Sequence, residues 1–192
     1  MNPYTQVAIL SFSTLRMIPH IVLYLLRKKE IDADLEKYSK DGRGVRAFIK
    51  VATRQRVFSK LFYSRVGESR SVFIQWMLPP EPTLYIWCPR IGRGCHFEHN
   101  YATYLNAEFI GDDFYCLQNV TLGNDKWGGR PTIGNRVSIF TGATVYGGIH
   151  IGDDVNIGAG CVVRKDLPAH CTVVGNPAVI VKLNDKKVHI EL

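Results

Sequence analysis

Three features of the 192-residue sequence predict a mainly β protein, a parallel β-helix preceded by an α-helical region: a six-residue apolar beat, a second apolar column four places behind it, and glycines at turn positions. Ile133, Ile139, Val145, Ile151, Ile157 and Val163 fall at every sixth position, and Val137, Ala143, Ile149, Val155, Cys161 and Leu167 follow them by four. Ile and Val supply 34 of 192 residues, so six in fixed register arise by chance at roughly 3 × 10⁻⁵ per frame. Gly134, Gly152 and Gly158 hold the second position, where the chain turns tightly or approaches another strand.

The N-terminal part is different in kind. Residues 1–80 hold 14 Lys/Arg against 6 Asp/Glu, a net of +8, whereas residues 81–192 carry a net of −1. A solvated helical surface accounts for this asymmetry, with an acidic partner or anionic lipid as the other readings. Residues 7–26 are largely apolar but are interrupted by Arg16, Pro19 and His20 and followed by Arg27, Lys28 and Lys29. A spanning helix would bury that arginine at a cost of about 2.5–3.5 kcal/mol. The stretch is therefore expected to pack within an oligomer or to lie on a membrane surface with its basic end on lipid headgroups. Residues 1–6 hold no basic residue and no small-residue cleavage site follows, so a signal peptide is not expected.

Residues 30–77 read as helical, broken at 41–44 and near Gly67, with Phe58, Phe62, Tyr63, Phe73 and Trp76 as packing aromatics. Basic residues interleave with them, but no nucleic-acid motif accompanies the pattern and no nucleic-acid partner is expected. Pro79, Pro80 and Pro82 then mark a rigid linker. The expected organisation is a helical region over 1–80, a β-helix domain over 81–182 and a C-terminal tail over 183–192.

Ile91, Phe97 and Thr103 begin the β frame, and Ile110, Cys116 and Leu122 continue it one residue late, which places a slip between Thr103 and Ile110. Eleven residues then separate Leu122 from Ile133, so the polar, Gly-rich "GNDKWGGRP" projects as a loop. Beyond Val163 the coils need a cap over unpaired backbone, and the last residues are expected to supply it. Five cysteines without CxxC or Cys/His spacing argue against a disulfide framework or a zinc site; Cys95 and Cys161 fit core positions, and reduced thiols suggest the cytoplasm.

The segments "IGRGCHFEH", "LQNVTLGN", "GGRPTIG", "VNIGAGCVVRKDLP" and "VVGNPAVIVK" make residues 84–182 resemble the hexapeptide-repeat acyltransferases, and within them the serine acetyltransferases and their relatives from polysaccharide gene clusters. The resemblance implies a left-handed parallel β-helix with three hexapeptides to a coil. It also implies a homotrimer with active sites between subunits, and acetyl-CoA as cosubstrate without a metal. The helical region would pair two trimers or touch the inner face of the membrane. The serine enzymes, which serve cysteine biosynthesis, also bind a cysteine synthase through a tail ending in isoleucine. This chain ends Ile190, Glu191, Leu192, and that partnership is not expected.

Transfer of acetyl from a thioester to a hydroxyl needs a base, and histidine suits the role. His99 stands where the family's catalytic histidine stands. The aspartate that orients it lies fifteen residues earlier in the family, and Leu84 takes that place here. Glu98 matches a family aspartate and is expected to face substrate, because strand alternation would turn it away from His99. Arg130 replaces the family's loop histidine that holds the serine carboxylate; its guanidinium could grip a carboxylate or contact sugar hydroxyls. Thr141 and Ala159 correspond to the turns along the pantetheine arm, Arg164 and Lys165 to the pair at the nucleotide end, and Lys182 is a further candidate for the phosphates. The expected activity is an acetyl-CoA-dependent, serine O-acetyltransferase-like transfer with His99 as general base. The alternatives are a sugar O-acetyltransferase of surface polysaccharide synthesis and a non-enzymatic β-helix scaffold. A zinc hydratase on the same fold would need three convergent histidines, and His96, His99 and His150 lack that spacing.

Overall fold

The computed structural model describes residues 15–192. The chain divides into two compact units at Pro80/Glu81.

The first unit is helical. Its helices are α1 (Ile18–Leu26), α2 (Lys28–Tyr38), α3 (Val45–Arg54), α4 (Arg56–Val66) and the single turn α5 (Glu68–Ser71). Apolar residues recur along α3 and α4 at helical spacing, so Phe48, Val51, Phe58, Leu61 and Phe62 are buried, and Tyr24, Ile31 and Leu35 close the core from α1 and α2. Fully burying each such side chain contributes about 1.5–3 kcal/mol. Two polar clusters lie inside. Arg65 makes a bidentate pair with Asp34, at 2.9 Å through both nitrogens, and both side chains are almost fully buried. Tyr24 donates to Asp32 at 2.6 Å, and the same carboxylate accepts from the Gly44 N–H at 3.1 Å. Residues 7–14 of the apolar N-terminal stretch lie outside the described residues. Among the described residues no helix is long and apolar enough to cross a membrane.

The second unit is the parallel β-helix, of about five turns. One sheet stacks β1 (Leu84–Trp87), β3 (Thr103–Asn106), β6 (Thr121–Gly123), β9 (Thr144–Tyr146) and β12 (Val162–Val163). A second stacks β4 (Phe109–Ile110), β7 (Thr132–Ile133) and β10 (His150–Ile151). The third stacks β2 (His96–Phe97), β5 (Tyr115–Cys116), β8 (Ser138–Ile139), β11 (Asn156–Ile157) and β13 (Cys171–Val174). The six-residue beat is the reason for this stacking. Each beat residue lands inside a short strand, as in the columns Ile110–Ile133–Ile151 and Cys116–Ile139–Ile157–Val173, and all seven are buried. Cys95 and Cys161 occupy the interior as core thiols. The glycine column shows why the turns need that residue: a Cβ on Gly111 would sit 2.5 Å from the Gly134 carbonyl oxygen, and one on Gly92 2.3 Å from the Gly111 carbonyl carbon.

Two expectations are corrected. The frame slip lies earlier than the beat suggests, because the interior anchor of β3 is Leu105, which pairs with Leu122, and not Thr103, which pairs with Leu84. Eight residues therefore separate Phe97 from Leu105, where six separate Cys116 from Leu122 and Ile139 from Val145. The surplus is an insertion at the corner that holds His99. Residues 183–192 are also not a tail: β14 (Val179–Leu183) and β15 (Lys186–Glu191) add antiparallel to β13 and extend the third sheet. Pairing these strands satisfies backbone groups that the last coil would otherwise expose.

Candidate active site

The inserted corner lies between the third and first sheets. Strand β2 stops at Phe97, and His99 (φ 54°) and Ala102 (φ 49°) take left-handed conformations uncommon for non-glycine residues. Asn100, buried within the turn, holds it: its amide donates to the Cys116 carbonyl at 2.9 Å and its oxygen accepts from the Cys116 thiol at 3.4 Å. The His99 backbone carbonyl accepts from the Tyr101 N–H at 2.8 Å. With its backbone so constrained, the His99 side chain stands 73% exposed.

The neighbouring carboxylate is not turned away. Strand alternation ends with β2, and the left-handed turn brings the Glu98 Oε1 to 3.7 Å from His99 Nε2. The other Glu98 oxygen accepts a 2.7 Å hydrogen bond from the Tyr115 hydroxyl, one coil along. Leu84 is fully interior, paired in register with Thr103, so no carboxylate reaches His99 from that strand.

Thr141 and Ala159 share the His99 corner. They lie two residues beyond Ile139 and Ile157, as His99 lies beyond Phe97, and these anchors belong to one stack of the third sheet. Gln118 occupies the level between His99 and Thr141. Backbone hydrogen bonds from Gly142 N–H to Gln118 carbonyl (3.1 Å) and from Gly160 N–H to Thr141 carbonyl (2.9 Å) tie the levels together.

At the next level of that edge, beyond Val173, Asn176, Pro177 and Ala178 line a cavity of about 460 Å³, and Arg164 and Lys165, which follow β12 at the corner between the first and second sheets, line it from the other side. The Arg164 guanidinium lies 5.2 Å from the centre of the Tyr146 ring, a cation–π arrangement that aims it. Lys182 does not join them. It sits on β14, pairs with Asp185 at 2.8 Å, and lines a separate crevice with Asp154, His170 and Thr172, because the antiparallel return carries it onto the third sheet.

The projecting loop, residues 124–131, leaves from the corner between the first and second sheets. Asp125 shapes it by accepting from the Trp127 and Gly129 N–H groups, each at 2.9 Å. Arg130 at its base donates to Glu108. Within one chain His99 and Arg130 therefore stand at different corners. Among the described residues no group of His, Cys, Asp or Glu could hold a metal ion. Asn100, Tyr115, Glu108 and Gln118 are the site residues that sequence reasoning missed. Only Asn100, beside His99 in the "EHN" stretch, had a local signal.

The regular part of the coil matches a known family: the model described as "Bacterial transferase hexapeptide (six repeats)" covers residues 130–165. The chain is similar to serine acetyltransferases. It is 45% identical over 93 residues to the serine acetyltransferase of Helicobacter pylori, covering 46% of this chain and 54% of that one. The solved serine acetyltransferase of Neisseria gonorrhoeae in complex with serine is 29% identical, with a TM-score of 0.64 over 80% of this chain and 68% of that one. The Brucella abortus serine acetyltransferase in complex with coenzyme A, 24% identical with a TM-score of 0.66 over 83% of this chain and 70% of that one, shares the fold. The chain spans about half the length of the curated relatives it matches.

Proposed function

We propose that the protein is an acetyl-CoA-dependent O-acetyltransferase acting on serine, with His99 as the general base. The observation that carries this reading is the shared corner: the exposed imidazole, Thr141 and Ala159 form one column, whose next level meets the Asn176–Ala178 wall of the cavity that Arg164 and Lys165 line from across the first sheet. Acetyl-CoA lies along that column with its pantetheine arm at Thr141 and Ala159 and its nucleotide end at Arg164 and Lys165. His99 takes the acceptor's hydroxyl proton as the oxygen attacks the thioester carbonyl; the C–S bond then breaks, and the proton passes from the imidazolium to the departing thiolate. The similarity to serine acetyltransferases supports serine as acceptor.

Because Arg130 lies at another corner, a site that uses both residues needs two copies of the chain. We therefore read the protein as a homotrimer with its sites between subunits, the helical unit being available to pair trimers. The four buried cysteines, Cys95, Cys116, Cys161 and Cys171, are core thiols and support a reducing, cytoplasmic setting.

A second acceptor class, a sugar hydroxyl of a surface polysaccharide, is favoured by one observation: the Arg130 guanidinium is already matched by Glu108 and does not stand as a lone cation for a carboxylate. Coenzyme A release measured with L-serine and with a panel of sugars and nucleotide sugars decides between them. Serine-dependent release is expected, and none with serine would overturn the first reading.

A further inference from the structure

We propose that Tyr115 is a positioning residue for His99, acting through Glu98, so that a tyrosine–glutamate pair on the outer face of the third sheet replaces the carboxylate absent at Leu84. This rests on the reading of His99 as the base.

The geometry is continuous. Tyr115 pairs in register with His96, which puts its ring on the outer face one coil beyond the His99 corner. That ring is held on both sides, by His96 at 5.5 Å between centroids and by Phe140 at 6.3 Å edge-on. The phenol therefore has a fixed direction, and its hydroxyl donates to Glu98 Oε2 at 2.7 Å. Burial, and then the hydrogen bond to Glu98, push the phenol's pKa up to about 12, so it remains a donor at any working pH. A carboxylate gripped through one oxygen can present the other in one place. Here that second oxygen faces His99 Nε2 at 3.7 Å, outside hydrogen-bonding distance but inside that of an ion pair, so the carboxylate stands opposite the ring that takes the proton and limits its orientation. The Glu98 main chain is fixed as well, its N–H donating to the Cys116 carbonyl at 3.0 Å. Without Tyr115 the Glu98 side chain, 45% exposed, is free to leave for solvent.

The test uses Tyr115→Phe, Glu98→Gln and the double variant of the full chain. Tyr115→Phe keeps the ring packing, and an unchanged thermal transition checks the fold. Its turnover is expected to fall about tenfold with the KM for acetyl-CoA unaltered. The same change in the Glu98→Gln background is expected to cost nothing more, because the tyrosine then has no carboxylate to hold. Equal losses in both backgrounds would overturn the proposal. A second measurement needs no turnover: the His99 ring resonances, assigned by their loss in His99→Ala, are expected to move in Glu98→Gln and in Tyr115→Phe without substrates. Resonances unmoved in Tyr115→Phe would also overturn it. Full activity of His99→Ala would instead refute the assignment of the base, and the resonance experiment separates the two failures.

Discussion

The Arg130 guanidinium donates to the Glu108 carboxylate, tying the base of the projecting loop to the residue just ahead of β4. Both side chains are partly exposed, so the pair is worth no more than about 1 kcal/mol and can be exchanged for another anion.

That exchange can be measured. Glu108→Gln frees the guanidinium, and the KM for L-serine, which carries a carboxylate, is expected to fall about three- to tenfold, with little change for a neutral sugar acceptor. An unchanged KM for serine would show that Arg130 does not grip the acceptor's carboxylate.

Removing the His99 imidazole tests the proposed chemical step. His99→Ala is expected to lower turnover by about 10²–10⁴-fold while coenzyme A binding, followed by calorimetry, stays within about twofold. The imidazole is exposed at a solvent-facing corner, so no loss of fold accompanies the change.

The two basic clusters should separate cleanly in binding experiments. Arg164→Ala or Lys165→Ala is expected to weaken coenzyme A binding about tenfold, less so at high salt, because both line the cavity at the end of the column. Lys182→Ala, on the other side of the coil and paired with Asp185, is expected to leave binding unchanged.

Stability of the helical unit should depend on pH through His20. Its ring is fully buried, between the Tyr63 hydroxyl at 2.9 Å and the Arg16 carbonyl at 3.2 Å, and burial holds its pKa below the ordinary 6.5. The unfolded chain then binds the proton more readily, so the stabilisation is complete above about pH 6.5 and is lost as pH falls toward the depressed folded value. Thermal midpoints read by the helical signal at pH 7.5 and 5.5 are expected to drop more in the native protein than in His20→Gln. Asp32 acts in a lower window. Burial opposes its ionisation, but hydrogen bonds from Lys28, Tyr24 and Gly44 outweigh that and hold its pKa below 3.8, so its contribution disappears only on acidification below that value.

The His99 corner illustrates which features a linear reading can find. Thr103 mimics a beat residue because it and Leu105 are both buried on the same side of β3, two residues apart, and a period of two conceals a shift of two. The partnership of Tyr115 with Glu98 has no local signal either, since 17 residues separate them and one turn of the coil brings them together. Arg164 and Lys182 look alike as basic residues near the last repeats, yet the chain reverses at β14 and sends Lys182 to another face. The alternation that was expected to separate Glu98 from His99 fails for a conformational reason, the left-handed turn that begins directly after β2.

The apolar beat and its glycines were enough to determine the coil, because every interior position obeys one local rule repeated at six residues. The resemblance of the repeat segments to the serine acetyltransferases singled out His99, Thr141 and Ala159 along the chain. Tertiary structure alone decided which of them share an edge, that the insertion falls on His99 itself, and that Glu98, Tyr115, Arg130 and Glu108 form pairs. Those facts depend on the register between coils and on the left-handed corner, where contacts are made across whole turns of the helix and leave no period in the sequence.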